Sequence, residues 1–266
     1  MSGKTRTGTF EWADWTLNVQ RGCSYGCLYC YGRAAALRRK RIPDGEAWRR
    51  PVVNAKALQT RYRRRTGPGM FPSTHDITRA NVHDCLKVLV RLLEVGNRLV
   101  IVSKPDLAVW RTVLEALAPY KSQVVLRFTI GALDSDLVRA WEPEAPPVPE
   151  RLETLGDAWR AGFATSVSAE PLLDPPRAAD LVREVAPLVA ETIWIGSCRQ
   201  LRKRVAWCIR RPGVLERVRQ LEAGQTPGGV RAVDAALAAL PAGVREKVRY
   251  KDSYKNALRR EGPKKG

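Results

Sequence analysis

The stretch NVQRGCSYGCLYCYGR, residues 18–33, decides how the whole chain is read. Its cysteines, Cys23, Cys27 and Cys30, follow a C-x3-C-x2-C spacing. An alternating apolar and polar run, Thr16 to Arg21, predicts a strand leading straight into the cysteine loop. Gly22 and Gly26 permit a tight wrap around a bound group. Three thiolates in one short loop bind three irons of a cubane and leave the fourth iron open. The competing reading is zinc, completed by a ligand from Cys85, Cys198, Cys208, His75 or His83. Zinc sites more often use paired C-x2-C units, and this chain has one such unit.

Outward from that loop, strand and helix signals alternate. Gly69 to Ser73, Leu99 to Ser103, Val124 to Ile130, Ala164 to Ala169 and Thr192 to Ile195 predict strands. Between them, Arg79 to Val95 places Val82, Leu86, Leu89, Val90 and Leu93 on one face, with Thr78 as N-cap and Gly96 as stop. Leu107 to Leu117 follows the capping Asp106, and Pro149 to Ala161 and Arg177 to Val189 are further helices. About six such units predict an α/β fold. Its form is an open partial (β/α)6 TIM-like barrel of parallel strands, with ligands at the strands' C-terminal ends. Residues 1–198 would form this barrel. Residues 199–266, beginning with the basic RQLRKRVAWCIRR, would be a helical C-terminal extension packed on it, its last residues frayed.

A 266-residue chain with 44% hydrophobic residues is long and apolar enough to build one sizeable core. Lys and Arg number 46 against 27 Asp and Glu, a net charge of +19. That excess predicts attraction to a polyanion, nucleic acid first. Six cysteines with no signal-like or membrane-spanning apolar run predict a reducing, cytoplasmic setting with ligand roles, not disulfides.

The cysteine motif, with Tyr29 as its aromatic, resembles that of the radical S-adenosylmethionine (SAM) superfamily. The wider context resembles the branch of spore photoproduct lyase and its DNA repair photolyase-like relatives. The stretches that carry this are residues 18–33, MFPSTHDIT (70–78), IVSKPDL (101–107), FTI (128–130), WEPEAPPVPERLETL (141–155) and AGFATSVSAEPLLD (161–174). They fall across most of residues 15–200.

The resemblance implies a [4Fe-4S] cluster on Cys23, Cys27 and Cys30, with SAM chelating the fourth iron and cleaved reductively to a 5′-deoxyadenosyl radical. It implies that Tyr29 sets its backbone near the adenine. Ser73, Thr74 and Asp76 would face the SAM amino group, and Lys104 its carboxylate. Thr129 would meet ribose or carboxylate, and Glu170 the adenosyl side. Asp76 and Lys104 are also the right partners for an ammonium and a carboxylate. Glu142 and Arg151 fit a structural ion pair. In spore photoproduct lyases a hydrogen-donating cysteine stands where this chain has Ser73, and a serine O–H is too strong to take over that step readily. Cys85 reads as a core residue of an apolar helix and could donate hydrogen only if that helix faced the cavity. His75 could be an acid or a SAM contact or simply bond a backbone group, and Tyr31, flanking the cluster, could relay hydrogen or simply pack.

The expected activity is that of a radical SAM enzyme, lyase or transferase type open, acting on a nucleic-acid base in repair or modification. Such a base would leave the stack to react. Arg and Lys at 38–41, 61–65 and 199–211 would meet phosphates. An electron donor such as flavodoxin or ferredoxin is implied. The alternatives are a peptide or small-molecule substrate, or a non-enzymatic iron–sulfur or zinc module that binds nucleic acid.

Overall fold

A computed structural model describes residues 7–259. The ends of the chain, including the final residues expected to fray, lie outside the described residues. In chain order the strands are β1 (Trp15–Thr16), β2 (Gln20–Arg21), β3 (Val52–Val53), β4 (Gly69–Phe71), β5 (Leu99–Ser103), β6 (Val124–Thr129), β7 (Ala164–Ala169), β8 (Ile193–Ile195) and β9 (Val248–Tyr250). Among the described residues the main sheet has seven strands in the order β1-β4-β5-β6-β7-β8-β9. Every pair is parallel, and the sheet is open between β1 and β9. The fold is the α/β, partial TIM-like barrel that the alternation predicts.

The helix-covered face of the central strands is apolar, while Arg127, Ser166 and Ser168 alternate onto the other face. Leu99, Ile101, Leu126, Phe128 and Val167 are all buried. Trp110, from the helix Leu107–Leu117, sets its ring edge-on to Phe128 with centroids 4.6 Å apart. That helix starts where expected, with Asp106 accepting from the Val109 amide at 3.1 Å. The helix Val82–Glu94 buries Val82, Cys85, Val88, Leu89, Leu92 and Leu93 along one stripe.

Three local expectations change. The expected strand Thr16–Arg21 divides. β1 stays in the main sheet, while β2 leaves it and pairs antiparallel with β3. The first helical cap is Asn81, not Thr78. The Asn81 side chain turns back, accepting from the Thr78 amide at 2.8 Å and donating to Asp76 O at 3.0 Å. It therefore ties down the turn after β4. Finally, the region after residue 199 is not wholly helical. Val248–Tyr250 pairs parallel with β8 and supplies a seventh strand. Its three-residue, half-exposed run inside a charged stretch carries little periodic signal.

Candidate functional site

The cysteine loop follows β2 and is shaped by two glycines. Gly22 has φ +103°, and a Cβ there would lie 2.7 Å from Trp48 O. Cys23 donates its amide to that same carbonyl at 2.9 Å. Cys30 caps the helix Tyr31–Arg38, its sulfur accepting from the Arg33 amide at 3.4 Å. Cys23 and Cys27 are buried and Cys30 half-buried, and all three line one cavity. On a measure by which one water needs about 10–15 Å³, that cavity is about 240 Å³. It has room for a nucleoside-sized body.

Burial, followed by the charge of Asp76, pushes the Cys23 thiol well above its usual range. Burial also pushes Cys27 up to about 12, against the pull of the Lys104 ammonium. A bound metal would oppose this shift and favour the thiolate form of both sulfurs. Among the described residues no three His, Cys, Asp or Glu side chains are arranged to hold a single ion. A cubane makes a different demand, since each thiolate binds its own iron. A soft, buried, three-thiol donor set in one cavity fits that group.

The opposite wall is built from strand ends. Ser73, Thr74, His75 and Asp76 follow β4, Lys104 follows β5, Thr129 ends β6, and Ser168 and Glu170 come from the end of β7; all line the cavity. Asp76 is the most heavily used. Its carboxylate accepts from the Lys104 amide at 2.6 Å and Ser103 Oγ at 3.1 Å, and lies 3.7 Å from both Cys23 Sγ and Lys104 Nζ. Burial pulls the Lys104 ammonium down, but Asp76 and then Cys27 outweigh it and hold it above its usual range. A fixed cation thus sits at the end of β5, facing the thiols.

Tyr29 lines the cavity but sends its hydroxyl to Glu142 Oε1. Glu142 pairs with Arg151 at 2.6 Å, both side chains fully buried, and Arg151 donates to Thr129 O at 3.2 Å. The ion pair read from sequence therefore belongs to a buried chain, Tyr29 to Glu142 to Arg151, that fastens the cysteine loop to the end of β6.

His75 accepts from the Val19 amide at Nε2 and sits 3.0 Å from Asp76 O at Nδ1, so the proton is on Nδ1. Burial lowers its pKa, and it is a neutral structural residue. Cys85 is in the core, its thiol 3.6 Å from Asn81 Oδ1.

Sequence reasoning missed Asn18 and Lys251 at the site. Asn18 Oδ1 accepts from the amides of Ser73 and Thr74, both at 2.9 Å, while its Nδ2 donates to Ser73 Oγ. Tyr31 donates to Ser73 O. Lys251, just after β9, is 1% exposed and reaches Gly8 O at 2.6 Å, Glu11 at 2.9 Å and Glu170 at 3.7 Å. It ties the turn Gly8–Glu11 to the cavity, which Thr9, Trp12 and Arg204 also line. Burial raises the Glu170 pKa, with Lys251 opposing. The cue for Asn18 was its place beside the cysteine motif. Lys251 had no cue, because its strand was not legible.

Solved structures share this fold. SuiB from Streptococcus suis, bound to S-adenosylmethionine, matches with a TM-score of 0.56 at 13% identity, over 92% of this chain and 52% of that one. A spore photoproduct lyase variant with bound AdoMet and dinucleoside spore photoproduct matches at 0.53 and 17%, over 74% and 60%. Another spore photoproduct lyase variant matches at 0.53 and 14%, over 94% and 79%. The fold is thus shared with SuiB and with spore photoproduct lyase. In sequence, the uncharacterised protein ORF301 of Acidianus two-tailed virus is 27% identical over 190 residues, 67% of this chain and 62% of that protein. The chain therefore spans less than two thirds of that relative's length. No protein-family model matches the chain. Among the described residues no helix is long and apolar enough to cross a membrane.

Proposed function

We propose that this protein is a radical SAM enzyme. The observation that carries the proposal is the shared cavity: three thiols from one loop open into the space walled by the C-terminal ends of β4 to β7. Cys23, Cys27 and Cys30 would hold the [4Fe-4S] cluster. When bound, the cluster supplies the electron that splits SAM into methionine and a radical able to abstract hydrogen from an unactivated carbon.

The chain's own groups bind and orient. Ser73 and Thr74, braced by Asn18, would present the turn that faces the SAM amino group, with Asp76 behind it. Lys104 would meet the carboxylate. Thr129 and Glu170 would border the ribose and adenosyl side, and Tyr29 would offer its backbone to the adenine while its hydroxyl stays on Glu142.

For substrate we favour a nucleic-acid base, in repair or modification. The +19 charge supports this, as do the exposed Arg61, Arg63, Arg64, Arg65 and Lys203. So does the dinucleoside bound by spore photoproduct lyase. Ser73 favours an outcome other than that lyase's own hydrogen return, because a serine hydroxyl does not readily give up a hydrogen atom.

Anaerobic reconstitution with iron and sulfide, then SAM and dithionite, should yield 5′-deoxyadenosine, and the Cys23→Ala, Cys27→Ala, Cys30→Ala triple variant should yield none. A colourless wild-type protein with stoichiometric zinc and no 5′-deoxyadenosine would overturn the reading.

A further inference from the structure

Arg33 lies three residues after Cys30 and is fully buried, 0% exposed. Its Nε, Nη1 and Nη2 have no hydrogen-bond partner among the described residues. Buried guanidinium groups are ordinarily paired, because an isolated charge in a dry interior is costly. One face of this one is covered by the Trp207 ring, 4.0 Å from the guanidinium carbon. The ring also carries Arg211, at 4.5 Å, and donates from Nε1 to Leu28 O at 3.3 Å. Trp207 is closely seated, since a Cβ on Gly45 would come within 2.3 Å of it.

A cation–π contact does not neutralise a charge. Burial lowers the Arg33 pKa, and Glu46, whose charge opposes this, is already shared by Arg211 and Arg49. The Arg33 amide donates to the Cys30 sulfur at 3.4 Å, which holds the residue one helical turn from a ligand of the proposed cluster site. A cubane of formal charge 2+ with three thiolates carries a net charge of 1−, and taking up one electron makes it 2−.

We infer that Arg33, clamped under Trp207, is the built-in counter-charge of the iron–sulfur cluster, a positioning residue that stabilises the thiolate ligands and raises the cluster's reduction potential. This rests on the cluster proposed above. A fixed cation favours the more negative, reduced state. The stack on Trp207 excludes water and strengthens that field. It also gives the basic segment after residue 199 a task at the cluster end of the site.

The test is the midpoint potential of the reconstituted cluster without SAM, by dithionite titration followed by EPR, with iron counted per chain. Arg33→Gln should lower the reduced-to-oxidised ratio at a fixed potential about tenfold, which for one electron is about 59 mV. It should also load less iron. Arg33→Lys, which keeps the charge, should recover most of the potential. Trp207→Leu changes a partly exposed ring and serves if Arg33→Gln does not fold. Letting water reach the guanidinium should shift the potential in the same direction by less. A full cluster with unchanged potential in folded Arg33→Gln, or in Trp207→Leu where Arg33→Gln fails to fold, overturns the inference. A wild-type chain that takes up no cluster sinks the enzyme proposal instead, so the two failures are distinct.

Discussion

Asp76 stands 3.7 Å from the sulfur of Cys23, and the same carboxylate lies equally close to the Lys104 ammonium while holding the Lys104 amide at 2.6 Å. One side chain thereby fixes a prospective cluster ligand and the end of β5 in a common frame. Removing it leaves a buried ammonium and a buried amide unpaired. Asp76→Ala should destabilise the metal-free protein by about 3 kcal/mol, in the range found when one partner of a buried pair is removed. Urea unfolding checks this, and a loss under about 1 kcal/mol would mean that the pair behaves as an exposed one.

The Tyr29, Glu142 and Arg151 chain calls for a double-mutant cycle. Glu142 and Arg151 are fully buried, so either Glu142→Gln or Arg151→Met alone strands a charge and should cost about 3–5 kcal/mol. The double variant should cost clearly less than the sum of the two. Additive losses in denaturant unfolding would show that the two residues do not act as a pair.

Cys27 sets a pH dependence for the metal-free chain. Its thiol is pushed from 9.0 up to about 12 in the folded state, chiefly by burial. The folded state thus holds the proton more tightly than the unfolded one. The resulting stability is fully present below pH 9 and is lost as pH rises from 9 towards 12. Each pH unit is worth at most about 1.4 kcal/mol. Other groups titrate in this range, so the measurement is the difference between wild type and Cys27→Ser in urea midpoints at pH 8 and pH 10. Wild type should lose more; parallel slopes would mean that the thiol is solvated.

The alternating strands and the cysteine spacing made the barrel and the cysteine loop legible, because both are local signals. β5 and β7 span the residues expected, since a short run of buried residues such as LVIVS leaves little choice of structure. β1 and β2 were merged because alternation cannot show where a chain leaves one sheet for another. Asn18 and Lys251 were not legible for a different reason. Their roles come from partners 55 or more residues away, Ser73 for Asn18 and Glu11 and Gly8 for Lys251. Arg33 lies within the cysteine motif but has no evident task in the sequence, and only its burial without a partner gives it one.

Lys251 joins the N-terminal turn to the cavity wall. Lys251→Met should release Gly8–Glu11, cutting the amide protection of residues 8–12 while β5 and β6 keep theirs. Hydrogen exchange reads this directly. Unchanged protection of the turn would mean that its other ties, such as the Asp252 amide on Glu11 at 2.9 Å, hold it without the ammonium.

The nucleic-acid reading makes a quantitative demand on salt. Binding to phosphate releases counterions, so the logarithm of affinity should fall linearly with the logarithm of salt concentration. The slope is about 0.9 per neutralised phosphate on duplex and about 0.7 on a single strand. Arg61, Arg63, Arg64 and Arg65 are exposed, and contacts from them to phosphate would carry no sequence information. Changing all four to Gln should weaken binding to every sequence alike. It should flatten the slope by roughly 0.7 to 0.9 for each phosphate that is no longer neutralised, without altering iron content or 5′-deoxyadenosine formed in the absence of nucleic acid. Fluorescence anisotropy on a labelled oligonucleotide from 50 mM to 200 mM salt is sufficient. An affinity indifferent to salt in the wild-type chain would sever the +19 charge from the substrate and favour a peptide or small molecule in the cavity.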